Sequence, residues 1–207
     1  KGNRKGLQTS WEKSGILSGR AFLMELVSND PLTLDIIESG CVTWEDLVRS
    51  VRNFKYGRGE NRGDFRKVWY QRMGTCSTKH GFLYQVAKMN ELNSIQLIVG
   101  IYLMTPSNTP KVASVLERYQ LEGIPEAHCY LKVGGSYLDA TSIGSSYESI
   151  AANIINEKVV EPEFLVSSKI EHHRKFMDRW RSEINSEFSL ESLWKIREEC
   201  IQALSEA

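Results

Sequence analysis

Apolar residues recur along this chain at helical spacing, at strand spacing and in one almost unbroken run, and each pattern predicts a different element. Asp30-Pro31 at one end and Gly40 at the other predict a short helix over residues 30–39. Thr43-Trp44-Glu45-Asp46 has the spacing of a capping box and leads into Leu47, Val48 and Val51 on one helix face. Gly57, Gly59, Asn61 and Gly63 then mark a loop. Leu83, Val86, Ala87, Met89 and Leu92 predict a buried helix from Cys76 to Leu92, and the apolar run Ile95–Met104 a central strand covered on both faces. Asn108-Thr109-Pro110 opens another helix, with Val112, Val115, Leu116 and Tyr119 on its stripe and Gly123 as its end. Residues 128–133 and 137–141 are rich in β-formers and flank Gly134-Gly135, a short hairpin signal. After Pro162 two helices are expected. Residues 163–184 carry Phe176, Met177, Trp180 and Ile184, and residues 189–205 carry Leu190, Leu193, Trp194, Ile201 and Leu204. Helices, then strands, then helices predict an α+β domain.

The 207 residues divide into a polar, Gly- and Ser-studded loose arm at 1–20, a core at 21–160 and a helical extension at 161–207. The extension is expected to dock on the core, because its aromatic and aliphatic stripes are too large to leave in water. Ile95–Met104 is about half of a bilayer span, so no membrane role is expected. Net charge is zero, with 26 basic and 26 acidic residues, which argues against nucleic acid as a partner. The charge is uneven, however: residues 49–72 hold eight Lys or Arg against Glu60 and Asp64, a local excess of six positive charges. Cys41, Cys76, Cys129 and Cys200 are widely spaced, which suits a reducing compartment better than a disulfide framework or a zinc ribbon. Together with the lack of an Asn-x-Ser/Thr acceptor this predicts a cytoplasmic location, while the opening Lys1 leaves a removed leader open. The run Gly57-x-Gly59-x-x-x-Gly63 has the wrong spacing for a phosphate loop, and no strand is expected before it.

The candidate chemistry begins at Gly74-Thr75-Cys76-Ser77, a loop-to-helix junction. A cysteine in the first helical turn faces unpaired N–H groups and the positive end of the helix dipole, which favour the thiolate. A cysteine nucleophile also needs a base, and the base an orienting acceptor. With the hairpin turn centred on Gly134-Gly135, Tyr130 faces Asp139 and His128 is its diagonal neighbour on the same side of the strands, close enough for a side-chain hydrogen bond. A one-residue slip would put Asp139 beside Cys129 on the opposite face.

Gly74-x-Cys76 opening a helix, His128 on a strand and Asp139-Ala140-Thr141 on the next resemble the transglutaminase-like superfamily over about residues 45–145. The resemblance implies a papain-like core, with a nucleophile-bearing helix packed on a small antiparallel sheet and flanking N- and C-terminal helices. It implies Cys76, His128 and Asp139 as a catalytic triad. Tyr130 stands where that family commonly has Trp, and Ala140 where it has Pro; neither change removes a catalytic atom. Gln71, five residues before Cys76, is the candidate oxyanion donor, as an upstream Gln is in papain-like enzymes, with a solvated loop glutamine as the other reading.

Each residue alone has a plainer role: Cys76 as a small buried hydrophobe, His128 as a satisfied strand histidine, Asp139 as a hairpin-end acceptor. Their order and local contexts favour the triad. Trp69 is read as a cleft wall or a core residue. His80, one turn after Cys76 and without an evident acidic partner, is read as cleft lining, and His172-His173 as surface helix. Of the basic run, Arg62, Arg66 and Arg72 are expected at the cleft, where they would favour an acidic substrate, and Arg49 and Arg52 elsewhere on their helix.

The expected function is therefore a cysteine hydrolase or acyltransferase acting on a peptide or protein amide through a thioester, with hydrolysis the default. No cofactor and no metal are called for. The alternative is a non-catalytic protein-binding module on the same scaffold.

Overall fold

A computed structural model describes residues 23–205. The expected arm at 1–20 lies outside the described residues. The protein is a mixed α+β fold with one small antiparallel sheet and helices on both of its faces.

Helix α1 (Pro31–Glu38) begins where the Asp30 carboxylate accepts from the Thr33 N–H at 3.0 Å. α2 (Trp44–Asn53) begins at a reciprocal Thr43–Asp46 capping box. Three short elements follow that the pattern did not announce: β1 (Lys55–Tyr56), α3 (Lys67–Gln71) and β2 (Met73–Gly74), with β1 and β2 paired in parallel. Two-residue strands are too short to show any alternation. Thr75 caps α4 (Cys76–Met89), so the candidate nucleophile is the first helical residue.

β3 (Ile95–Met104) is followed by a 3-10 turn (Pro110–Val112) and α5 (Ala113–Arg118). This helix stops short of Gly123. Gln120 takes the left-handed conformation at φ 53°, and the Leu121 N–H reaches back to the Leu116 carbonyl at 3.0 Å, which closes the helix earlier. β4 (Ile124–Val133) and β5 (Ser136–Leu138) form the expected hairpin, with Val133 paired to Ser136 and Leu131 to Leu138. α6 (Glu148–Ala151) and β6 (Ile154–Val160) come next, and β6 pairs antiparallel with β3. Its two faces are largely exposed, so no apolar run marks it. The helix expected over 163–184 is two, α7 (Pro162–Ser167) and α8 (Lys169–Glu183), divided at Ser168, whose φ of −127° is not helical. α9 (Leu190–Ser205) ends the described chain.

The sheet order is β5-β4-β3-β6. One face packs Leu97, Val99, Ile101, Ala127, Cys129 and Leu131 against the helices α1, α2 and α4. The other packs Ile98, Tyr102, Met104 and Ile124 against α5 and α9, with Met177 of α8. α4 is enclosed on nearly every side, which Gly81 permits: a Cβ there would lie 2.8 Å from the Phe65 ring. β5 covers only residues 131–133 of β4, leaving the first part of β4 without a strand neighbour on its outer edge. α8 covers that edge instead, its His173 ring donating from Nε2 to the Pro125 carbonyl at 2.8 Å. His173 is thus a buried strut and not a surface residue, and burial, opposed by the nearby Glu126 charge, lowers its pKa to about 4.

Candidate active site

The open edge of β4 is where the helix start and the hairpin meet. Cys76 stands at the N-terminus of α4, where the backbone N–H groups of Cys76 and Ser77 have no carbonyl one turn earlier to bind. His128 is on β4, directly opposite Gly100 of β3. A side chain at Gly100 would collide with the Tyr130 hydroxyl; the glycine leaves room for the Tyr130 ring to lie beside His128, 6.1 Å between ring centres. His128 Nε2 donates to Asp139 Oδ2 at 2.8 Å. The other Asp139 oxygen accepts from the Thr141 N–H at 2.9 Å, so the buried carboxylate is satisfied on both sides.

The electrostatics favour an ion pair. Burial works against charge on His128, but the Asp139 carboxylate and the adjacent Cys76 sulfur outweigh it and raise its pKa to about 10. Burial likewise opposes charge on Asp139, and the His128 charge and hydrogen bond overcome it, taking the pKa to about 2. The Cys76 thiol is held well below its ordinary value by a hydrogen bond from the Cys129 thiol, against burial, with the Lys169 and His128 charges adding to it. Cys129 moves the opposite way because burial and the neighbouring Cys76 charge both disfavour its ionisation. Two touching thiols cannot both ionise, and the one at the helix start takes the charge.

His80 is not cleft lining. It is fully buried, its Nε2 accepts from the Ala140 N–H at 2.7 Å, and its Nδ1 therefore donates to the Cys76 carbonyl at 2.8 Å. Both nitrogens are used by a neutral ring, and burial keeps it neutral by lowering its pKa. An acid that the spacing did not suggest, Asp139, lies 3.7 Å from the same Nε2, which has no proton to give it while the ring is neutral. His80 thus ties α4 to the chain just after β5, beside Asp139. Lys79 adds a second tie, donating at 2.7 Å to the carbonyls of both Phe54 and Thr141. Arg52 secures the loop beyond, binding the Ser142, Ile143 and Ser145 carbonyls.

Several other expected residues lie away from the cleft. Trp69 is a core residue, stacked near Phe82, and the Arg72 guanidinium covers its ring at 3.8 Å. Arg72 is exposed, lies over this ring and does not line the cleft. Gln71 packs against Gly59, where a Cβ would collide with its amide oxygen, and it does not line the cleft. Arg66 faces outward in a two-point pair with Asp64. Only Arg62 of the three expected arginines lines the cleft. Arg49 pairs with Asp46 on its own helix at 2.8 Å.

The cleft encloses about 410 Å³ above Cys76, within the range of small-molecule and short-peptide sites. Its far wall comes from α8 and α9. Lys169 Nζ donates to Ser77 Oγ at 2.7 Å and lies 4.0 Å from Cys76 Sγ. Glu126 and Arg197 form a buried two-point ion pair at 2.6 and 2.7 Å, and Glu198 links Arg197 to Arg58 at 2.6 Å each. Tyr56 lines the same cleft. Burial and the Cys76 charge push its phenol up, so it keeps its proton. The sequence reading missed Lys169, Glu126, Arg197 and Tyr56. Lys169 is 93 residues from Cys76, and nothing in its local pattern sets it apart from an exposed helix lysine. The Glu126–Arg197 pair had one local signal, an acid within a strand rich in apolar residues.

Among the described residues no group of three His, Cys, Asp or Glu could hold a metal ion, and no helix is long and apolar enough to cross a membrane. No protein-family model, curated protein or solved structure matches the chain.

Proposed function

We propose that the protein is a cysteine hydrolase or acyltransferase that acts on amides through a thioester, built on a papain-like, transglutaminase-like core. The observation that carries this reading is the 2.8 Å His128–Asp139 bond, which fixes a ring whose charge and that of the helix-start Cys76 sulfur favour each other. Nε2–H bound to Asp139 leaves Nδ1 for the Cys76 sulfur. The thiolate attacks the carbonyl carbon and the N–H groups of Cys76 and Ser77 receive the developing oxyanion. With Gln71 outside the cleft, the backbone supplies this role without it. The His128 imidazolium gives its proton to the departing amine, leaving an acyl-cysteine. Water, deprotonated by the now neutral His128, then releases the acid; an amine in its place would complete a transamidation.

p-Nitrophenyl acetate tests the mechanism without a known substrate. A burst of about one nitrophenolate per chain is expected, with an acetyl group on Cys76 by mass spectrometry, and neither in Cys76→Ala. An intact protein that never acquires the acetyl group would refute the reading. One observation favours the alternative of a binding module: Cys76 is only 6% exposed. Acetylation at Cys129 or Cys200 as fast as at Cys76 would support that module.

A further inference from the structure

The ionisable groups facing the cleft do not balance. Arg58, Arg62, Lys169 and Arg197 are positive, and Glu126 and Glu198 are the only carboxylates among its described lining residues. Both carboxylates are committed: Glu126 to Arg197, and Glu198 to Arg197 and Arg58. Arg62 has no partner among the described residues, and Lys169 binds only the neutral Ser77 hydroxyl and the edge of the Cys76 sulfur. The Cys76 thiolate offsets one of these two cations and leaves the other.

The two cations also belong to one rim. The loop carrying Arg62 rests on α7 at Gly63, where a Cβ would meet the Val166 side chain at 3.6 Å, and α7 leads through Ser168 directly to Lys169. We propose that Arg62 and Lys169 form a carboxylate subsite beside Cys76, so that the preferred amide carries a carboxylate next to its scissile carbonyl. This rests on the reading of Cys76 as the nucleophile. A carboxylate at Lys169 stands within a few ångströms of the attacked carbon, and Arg62, exposed at the mouth, draws it in from solvent. The subsite replaces the cationic patch expected from Arg62, Arg66 and Arg72, two of which point elsewhere.

Iodoacetate and iodoacetamide test it on the full chain. Both form the same S–CH2 bond with the Cys76 thiolate and expel iodide, and they differ in presenting a carboxylate or a neutral amide. The iodoacetate-to-iodoacetamide rate ratio at Cys76, divided by that of free cysteine, is expected to be about ten at low ionic strength and to fall toward one in high salt. Arg62→Gln should lower the ratio several-fold without touching the fold, since the side chain is exposed. Lys169→Met should lower it too, and should also slow iodoacetamide at acidic pH because the thiolate loses a cation. Rapid labelling with a normalised ratio of one at every salt concentration would overturn the subsite alone. Labelling by both reagents as slow as at Cys200 would overturn the nucleophile with it. The carboxylate of an acidic side chain and that of a chain terminus present the same group. Protection of Cys76 by N-acetylglutamate α-amide would identify the first source, and protection by N-acetylglutamine the second.

Discussion

The two walls around Cys76 handle charge in different ways. On the wall made by α4 and the β4–β5 hairpin, behind the residues that line the cleft, each ionisable group has its own dedicated partner: Asp139 takes His128, and His80 takes a carbonyl on one side and an N–H on the other. On the cleft wall that α8 and α9 complete, the charges are shared along a line, from Arg58 after β1 to Glu198 and Arg197 of α9 and Glu126 of β4, with Lys169 beside it. The first arrangement defines where a proton sits. The second sets a field and leaves the proton no path. In the proposed reaction the proton transfers belong to one wall and the substrate selection to the other, so the two properties should separate under mutation.

The largest effects should fall on the first wall. Cys76→Ala or His128→Ala is expected to lower acyl transfer by about 10⁴-fold or more, as in other nucleophile–histidine sites, while thermal melting stays near the wild type for Cys76→Ala. Unimpaired turnover of any accepted ester or amide by Cys76→Ala would break the comparison. Next in size is the removal of the second wall. A chain ending at Val160 loses Met177, Leu193, Ile196 and Cys200 from the core and uncovers the edge of β4. We expect it to lose cooperative melting, because the stability of an ordinary domain is only about 5–15 kcal/mol. A monomeric fragment that melts cooperatively would show the walls to be independent. Glu126→Ala leaves Arg197 buried without its main partner and should cost about 3–5 kcal/mol in chemical denaturation. Glu198→Ala at the partly exposed end of the same line should cost less than about 1 kcal/mol. Equal losses would mean that the line acts as a unit.

The pH dependence sharpens the same contrast. Asp139 contributes stability that is complete above its unfolded pKa of about 3.9 and is lost as pH falls through about 2. His128 contributes stability that is complete below about 6.5 and is lost as pH rises through about 10. The thiolate–imidazolium pair therefore exists on a plateau from the lowered Cys76 pKa up to about 10. Iodoacetamide labelling of Cys76 should stay fast well below the ordinary thiol pKa of about 8.5. His128→Ala should raise its acid limb, while Asp139→Asn should pull the loss of the imidazolium down toward about 6.5.

How much of this could be read from the chain depends on the range over which each feature is set. The hairpin register follows from Gly134 and Gly135, whose φ values of 55° and 98° only a glycine-rich turn adopts easily. That turn alone brings His128 and Asp139 to the same side. The place of Cys76 follows from Thr75, three residues before its capping partner Thr78. These are local effects and they are legible. Lys169, by contrast, reaches Cys76 through the docking of α8 on an open strand edge, which depends on β5 being only three residues long. The fate of the basic run is only partly local: Arg66 finds Asp64 two residues away and Arg72 the Trp69 ring three away, but Arg58 finds Glu198 across the fold. Composition counted the charges correctly and said nothing of where they point. β6 went unread because its side chains face water on both sides, so its pairing with β3 rests on backbone hydrogen bonds that leave no apolar pattern.

The Ala140 N–H belongs to no helix and no strand ladder, yet its acceptor is a ring nitrogen sealed inside the core. Solvent deuterium can reach it only when His80 leaves its place, and His80 cannot leave without freeing the carbonyl of Cys76. Amide exchange at this one loop position is therefore a clock for the whole frame that holds Cys76, His128 and Asp139. Protection there as strong as in β3 would mean that the frame opens only when the molecule unfolds.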